Sequence, residues 1–132
     1  MKKRGFTLIE LMLVVIIIGI LSAMVIPRLV GRSEEARRSV AKSDIESTLA
    51  LALDLYEMDN GTYPATLDAL RTKPQDAAYW KGPYIKKKPL DPWGKNYIYK
   101  FPGEHNPPDT YDLSSLGKDG QEGGGDDVVN WE

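Results

Sequence analysis

At 132 residues the chain has room for one small domain and a long helix, and not for a second globular core. Its 17 Lys and Arg stand against 19 Asp and Glu; without Lys2, Lys3 and Arg4 the balance is 14 against 19, a formal charge of −5 that argues against a nucleic-acid partner. There is no cysteine, so the fold needs no disulfide, although small exported domains often rely on one.

Residues 2 to 10 read Lys-Lys-Arg-Gly-Phe-Thr-Leu-Ile-Glu and lead into a nearly unbroken apolar run from Leu11 to Ile26. The stretch from Phe6 to Ile26 is long enough to span a bilayer, exceeds an ordinary secretory h-region, and lacks a convincing Ala-x-Ala cleavage site. Basic residues on its N-terminal flank place that end in the cytoplasm and send the rest across the inner membrane, with Arg28, Arg32, Arg37 and Arg38 weighing the other way. A simple signal anchor is the bland alternative. Glu10 singles the segment out, because a carboxylate at such depth costs about 2.5–3.5 kcal/mol on insertion scales and seldom stands without a partner. Cleavage after Gly5 would free an amino group on Phe6, a candidate partner for Glu10.

Beyond Leu29 the apolar positions Ala41, Ile45, Leu49, Ala52 or Leu53, and Tyr56 recur every three or four residues, one face of an amphipathic helix. Arg37, Arg38, Lys42, Asp44, Glu46, Asp54 and Glu57 fall between them as a solvated face. The helix is predicted to close at Asp59-Asn60-Gly61, where Asn or Gly can turn left-handed. Joined to the membrane segment, it runs from about Phe6 to Met58 and reaches about 80 Å. Gly19 and Pro27 interrupt it, and Pro27 predicts a bend or local loss of helix.

A short helix is predicted from Leu67 to Arg71, capped by Thr66, with Pro74 beyond its end, packing on the long helix. Tyr79 to Pro92 reads as a loop, with turns at Gly82-Pro83 and Asp91-Pro92. Its Lys86, Lys87 and Lys88 suit an acidic partner but read better as exposed solubilising charge. Two strands follow, Asn96 to Phe101 and Thr110 to Leu116, as an antiparallel hairpin whose apolar face covers the long helix. Trp93 and Trp131 are expected to build the core, since a domain this small needs large apolar side chains.

Catalysis has little support. The only histidine, His105, reads as an exposed loop residue with no role, and no Gly-x-Ser-x-Gly turn or phosphate-cradling loop is present. The strongest polar constellation is the segment from Leu116 to Asp127. Calcium takes six to eight oxygens, Asp119, Asp126 and Asp127 supply carboxylates, and the glycines between them allow a tight wrap. The spacing is not that of an EF-hand, and a flexible acidic turn is the plain alternative.

The string Gly5-Phe6-Thr7-Leu8-Ile9-Glu10 behind a short basic leader resembles the leader of type IV pilins and of their secretion relatives, the pseudopilins. Downstream, Asp91-Pro92-Trp93-Gly94, Ser115-Leu116-Gly117-Lys118-Asp119-Gly120 and the Asn130-Trp131 ending resemble the major pseudopilins of type II secretion systems, so the likeness covers nearly the whole chain. It implies an α+β, type IV pilin-like fold: a long N-terminal helix, transmembrane in its first half and amphipathic in its second, packed against a small antiparallel β-sheet. It implies a leader at 1–5, a transmembrane and assembly helix at 6–28, and a periplasmic domain at 29–132.

The resemblance further implies that a prepilin peptidase cuts between Gly5 and Phe6, that Phe6 is N-methylated, and that Glu10 neutralises Phe6 of an adjacent copy. Copies then form a helical periplasmic filament with minor pseudopilins on an inner-membrane assembly platform and drive secreted proteins through the outer membrane. The stretch around Gly19 and Pro27 is expected to unwind as subunits pack. Calcium is implied in the Gly-rich loop, held by the side chains of Asp119, Asp126 and Asp127 and by backbone oxygens of Leu116 and of Gln121 or a neighbour. The ion would order a C-terminal loop that pilins hold with a disulfide. A major pilin for adhesion or motility, and a membrane-anchored calcium-binding or enzymatic domain, are the competing readings; the last would leave Gly5-Phe6 uncut and Glu10 unexplained.

Overall fold

The computed structural model describes residues 5–132, with the backbone alone at 26–30; Lys2, Lys3 and Arg4 lie outside the described residues. The chain divides into two units, Met1–Glu35 and Ala36–Glu132. Helix α1 spans Leu8–Ser43, a wider π-helical turn follows at Asp44–Thr48, and α2 runs over Leu49–Asn60. In the first unit the apolar span Leu8–Val25 buries none of its residues within the protein.

The predicted long helix is therefore present, without the local loss of helix considered at Pro27. The helix continues through Gly19 and Pro27. A proline withholds one N–H donor, but its fixed φ is close to helical. The break in regularity falls instead at Asp44–Thr48. At the far end Gly61 adopts φ 80°, and its N–H donates to the Glu57 carbonyl at 2.7 Å, closing α2 at the predicted place.

The second unit holds the core. Ala41, Ile45, Leu49, Ala52, Leu53 and Tyr56 are all buried, so the predicted apolar face is the face that packs, with Ala52 and Leu53 both contributing. Each large aliphatic side chain fully removed from water contributes about 1.5–3 kcal/mol before entropy is counted. Members of the expected solvated face also bond within the fold. Asp44 accepts the Tyr97 hydroxyl at 2.9 Å, and Asp54 accepts that of Tyr63 at 3.1 Å.

The short helix is a 3-10 turn, Leu67–Leu70. Thr66 stands at its N-cap without a side-chain cap bond; its carbonyl accepts the Ala69 N–H instead. Buried Leu70 anchors this turn, and its carbonyl accepts the Tyr84 N–H at 2.7 Å, which seats the following loop. Trp80 donates its indole N–H to the Ala69 carbonyl at 2.8 Å, while Lys86, Lys87 and Lys88 are exposed as expected.

Among the described residues the sheet has three strands in the order β1-β2-β3: β1 Ile98–Lys100, β2 Asp112–Ser115 and β3 Val128–Val129. The first two form the predicted antiparallel pair, with Tyr99 opposite Leu113. The third escaped the sequence reading, because two valines carry too short a pattern to read as a strand. It pairs antiparallel with β2, Ser115 opposite Val128, so Leu116 to Asp127 is the connection of a β2–β3 hairpin.

Candidate functional site

The polar cluster lies in that connection. Asp119, Asp126 and Asp127 each place a carboxylate oxygen within 4.8 Å of the others. Local amides orient them. Gln121 donates its N–H to Asp119 Oδ1 at 2.8 Å, Asp119 donates to Asp126 Oδ2 at 3.0 Å, and Gly123 donates to Asp127 Oδ2 at 2.7 Å. The Asp119 amide beside Asp126 holds its carboxyl below the usual carboxylate range.

Two further oxygens have no such partner. Among the described residues, Asp126 Oδ1 and Asp127 Oδ1 are buried and meet no hydrogen-bond donor. A buried carboxylate oxygen left bare is costly, and a hard cation held by oxygens removes that cost. The backbone also closes tightly around these carboxylates. A Cβ on Gly124 would overlap Asp119 Oδ2 and come within 2.9 Å of Asp126 Oδ1, so only glycine lets the backbone close over these two carboxylates. The donor set is thus all oxygen, which suits calcium and not a soft metal.

The other expected ligands stand differently. The Leu116 carbonyl sits at the mouth of the loop and accepts the Gly120 N–H at 3.2 Å, keeping a second lone pair. Gln121 is exposed and takes part through its amide, as a donor to Asp119.

At the other end of the chain, Gly5 and Phe6 are exposed ahead of α1. Thr7 and Glu10 form a reciprocal cap. Glu10 Oε2 accepts both the Thr7 N–H and the Thr7 hydroxyl at 2.7 Å, and the Thr7 Oγ1 accepts the Glu10 N–H at 3.3 Å. Glu10 therefore has a partner within its own chain. The Thr7-x-x-Glu10 spacing at a helix start is the signal that would have revealed it.

His105 is not the idle loop residue the sequence suggested. Its ring nitrogen Nδ1 lies 3.1 Å from Asp112 Oδ2, and its imidazole stacks on Trp131 with ring centroids 4.2 Å apart. Asp112 also accepts the backbone N–H groups of Glu104, His105 and Asn106, so it gathers the whole turn after β1. Trp131 thus packs against the surface of this turn, and is not among the core side chains.

A family model described as type II secretion system, protein G, matches residues 28–131, and one described as a prokaryotic N-terminal methylation motif matches residues 1–26. The chain is 48% identical to type II secretion system core protein G of Pseudomonas aeruginosa, over 99% of this chain and 96% of that one. It is 46% identical to the protein of the same name from Escherichia coli, over 98% and 92%. Among solved structures it resembles the major pseudopilin from the type 2 secretion system of enterohaemorrhagic Escherichia coli, with TM-score 0.66 and 36% identity, covering 80% of this chain and 95% of that one.

Proposed function

Because this chain belongs to the type II secretion system protein G family, we propose that its work is mechanical, as the repeating structural subunit of the secretion pseudopilus. The observation that carries this is the apolar span Leu8–Val25, wholly unburied within the protein and entered through the Thr7–Glu10 cap. A helix with that surface is stable in lipid or against other such helices, and not in water. The family match over residues 28–131 sets the chain with secretion pseudopilins rather than with pilins of adhesion or motility.

In this account the precursor is held in the inner membrane with its N-terminus in the cytoplasm and residues 29–132 in the periplasm. A prepilin peptidase cuts between Gly5 and Phe6, and Phe6 is then methylated on its new amino group, in keeping with the methylation motif at residues 1–26. That amino group supplies a positive charge at Phe6, where the precursor has only an uncharged peptide nitrogen. Glu10 exchanges its Thr7 bonds for the Phe6 ammonium of a neighbouring copy, which compensates two charges that are costly to leave unpaired in an apolar setting. Copies added at an inner-membrane platform, beneath minor pseudopilins, lengthen the filament and push folded proteins through the outer membrane. The stretch around Gly19 and Pro27 lengthens by unwinding as copies pack.

Calcium has a structural part here. Asp119, Asp126 and Asp127 would hold it, joined by the Leu116 carbonyl and a carbonyl at or beside Gln121. The ion supplies positive charge and coordination that fix the β2–β3 connection, the task a disulfide performs in a chain that has cysteines. Deleting the gene in its own bacterium tests the main reading. Exoproteins retained in the periplasm are expected, whereas lost surface fibres with normal secretion would replace secretion by a pilus function.

A further inference from the structure

The loop that gathers the three carboxylates is gripped from outside by the turn Asp91–Pro92–Trp93–Gly94–Lys95. Asp91 is 4% exposed. Its Oδ1 accepts the N–H groups of Trp93 at 3.0 Å and Lys95 at 2.8 Å, and its backbone N–H donates to the Lys95 carbonyl at 2.8 Å, so the turn closes on its own carboxylate. Its second oxygen, Oδ2, points the other way and accepts the Ser115 hydroxyl at 2.7 Å. Ser115 is fully buried at the end of β2, and its Oγ in turn accepts the Gly117 N–H at 3.2 Å. The relay from Asp91 through Ser115 to Gly117 therefore brackets Leu116, fixing the residue on each side of its carbonyl.

A second grip comes from Lys95. Its ammonium donates to the Lys118 carbonyl at 3.4 Å. It reaches there across Gly120, where a Cβ would overlap Nζ. Neither Asp91 nor Lys95 belongs to the carboxylate cluster. Both nonetheless set where the first half of the loop lies, and partners that orient ligands without touching an ion commonly govern its affinity.

We propose that the Asp91–Lys95 turn is the positioning brace of the cation loop, holding the Leu116 carbonyl through Ser115 and the Lys118 peptide through Lys95. This rests on the cation reading of the loop. The brace makes two opposed predictions for Lys95. As a tether it raises cation affinity; as a bare positive charge near the site it would lower it.

The test uses the full chain in detergent micelles with terbium(III) as a luminescent stand-in for calcium. Luminescence lifetimes in light and heavy water count the waters left on the ion, and calcium competition gives the affinity. Ser115→Ala is expected to weaken binding about ten- to a hundred-fold and to add a bound water where the Leu116 carbonyl is lost. A role in overall stability alone would leave that water count unchanged. Lys95→Met, which keeps the aliphatic stem, is expected to weaken binding severalfold, and it decides alone if Ser115→Ala does not fold. Wild-type affinity and hydration in both variants, or tighter binding by Lys95→Met, would overturn the brace while leaving the cation site standing. Failure of the wild-type chain to bind terbium or calcium would overturn both.

Discussion

Glu10 and Thr7 satisfy each other across the first turn of α1, with both the amide and the hydroxyl of Thr7 2.7 Å from one oxygen of the Glu10 carboxylate. This local bond gives the carboxylate a resting partner in the single chain, so the pairing proposed between copies would be an exchange of partners and not a rescue of a bare charge. The distinction bears on what mutation does. Glu10→Val should insert and be processed normally, since the segment becomes more apolar, but should not assemble. Immunoblots separating precursor from mature chain, with filament pelleting and secretion assays, check this. Normal filaments from Glu10→Val would reject the pairing.

Processing is expected to leave N-methylated Phe6 as the first residue, with exposed Gly5 as the small residue presented to the peptidase. Intact mass of the mature protein decides it. Replacing Gly5 with a bulky residue should accumulate uncut precursor in the membrane. A mature chain that keeps Lys2 to Gly5, or begins near Ser22-Ala23, would contradict the leader reading.

Calcium is expected to raise the melting temperature of the full chain in detergent, and chelation to lower it. An ion that binds only the folded state adds about 2.7 kcal/mol when its free concentration is a hundred times Kd. Asp119→Ala should abolish the calcium response, whereas Lys118→Ala, adjacent but offering no side-chain oxygen, should preserve it. Magnesium should substitute poorly, because it demands strict octahedral geometry and keeps its waters. Identical melting with calcium and with chelator would return the loop to a plain acidic turn.

Acid should reveal Asp112. Burial alone would raise its pKa, but the amides of His105, Asn106 and Glu104 and the His105 ring outweigh burial and hold the carboxyl well below the usual carboxylate range. Its folded pKa lies under the unfolded value of about 3.9, so its stabilisation is complete above that value and fades as pH falls through it toward the folded one. Asp112→Asn, which keeps the shape and removes the charge, should cost roughly 1.5–3 kcal/mol at neutral pH. It should also flatten the loss of stability between about pH 4 and pH 2. Melting curves across that range distinguish this from a general destabilisation, which would shift the whole profile without changing its slope.

Much of this architecture was legible because it is periodic or locally coded. The face Ala41, Ile45, Leu49, Leu53 and Tyr56 repeats at helical spacing and is the face that is buried, and the β1–β2 pair shows as two aromatic-rich runs. The three aspartates were legible as a cluster because they share one glycine-rich connection. What stayed hidden depends on partners distant in sequence. Val128–Val129 is a strand only because β2 lies beside it, and Asp91 acts on the loop only because folding brings Ser115 to it from 24 residues away. His105 read as idle because neither Asp112 nor Trp131 announces itself as its neighbour. The wide turn at Asp44–Thr48 was hidden for another reason, since one extra residue in a single turn leaves the apolar pattern almost unchanged.

That wide turn works as a slack link in the register of the second unit. Ala41, Ile45, Leu49 and Leu53 are buried at strict intervals of four, a spacing that creeps around a cylinder of 3.6 residues per turn. A turn bonded one residue further along absorbs part of the creep and keeps the row facing inward. Removing one exposed residue there, such as Ser47, would let the backbone relax to an ordinary helix with everything after it still facing the same way. The same deletion at Asp54, nearly two turns later, would swing Tyr56 and the end of α2 through about 100° and expose them. The helix should therefore tolerate the loss of one residue at this turn without being repacked.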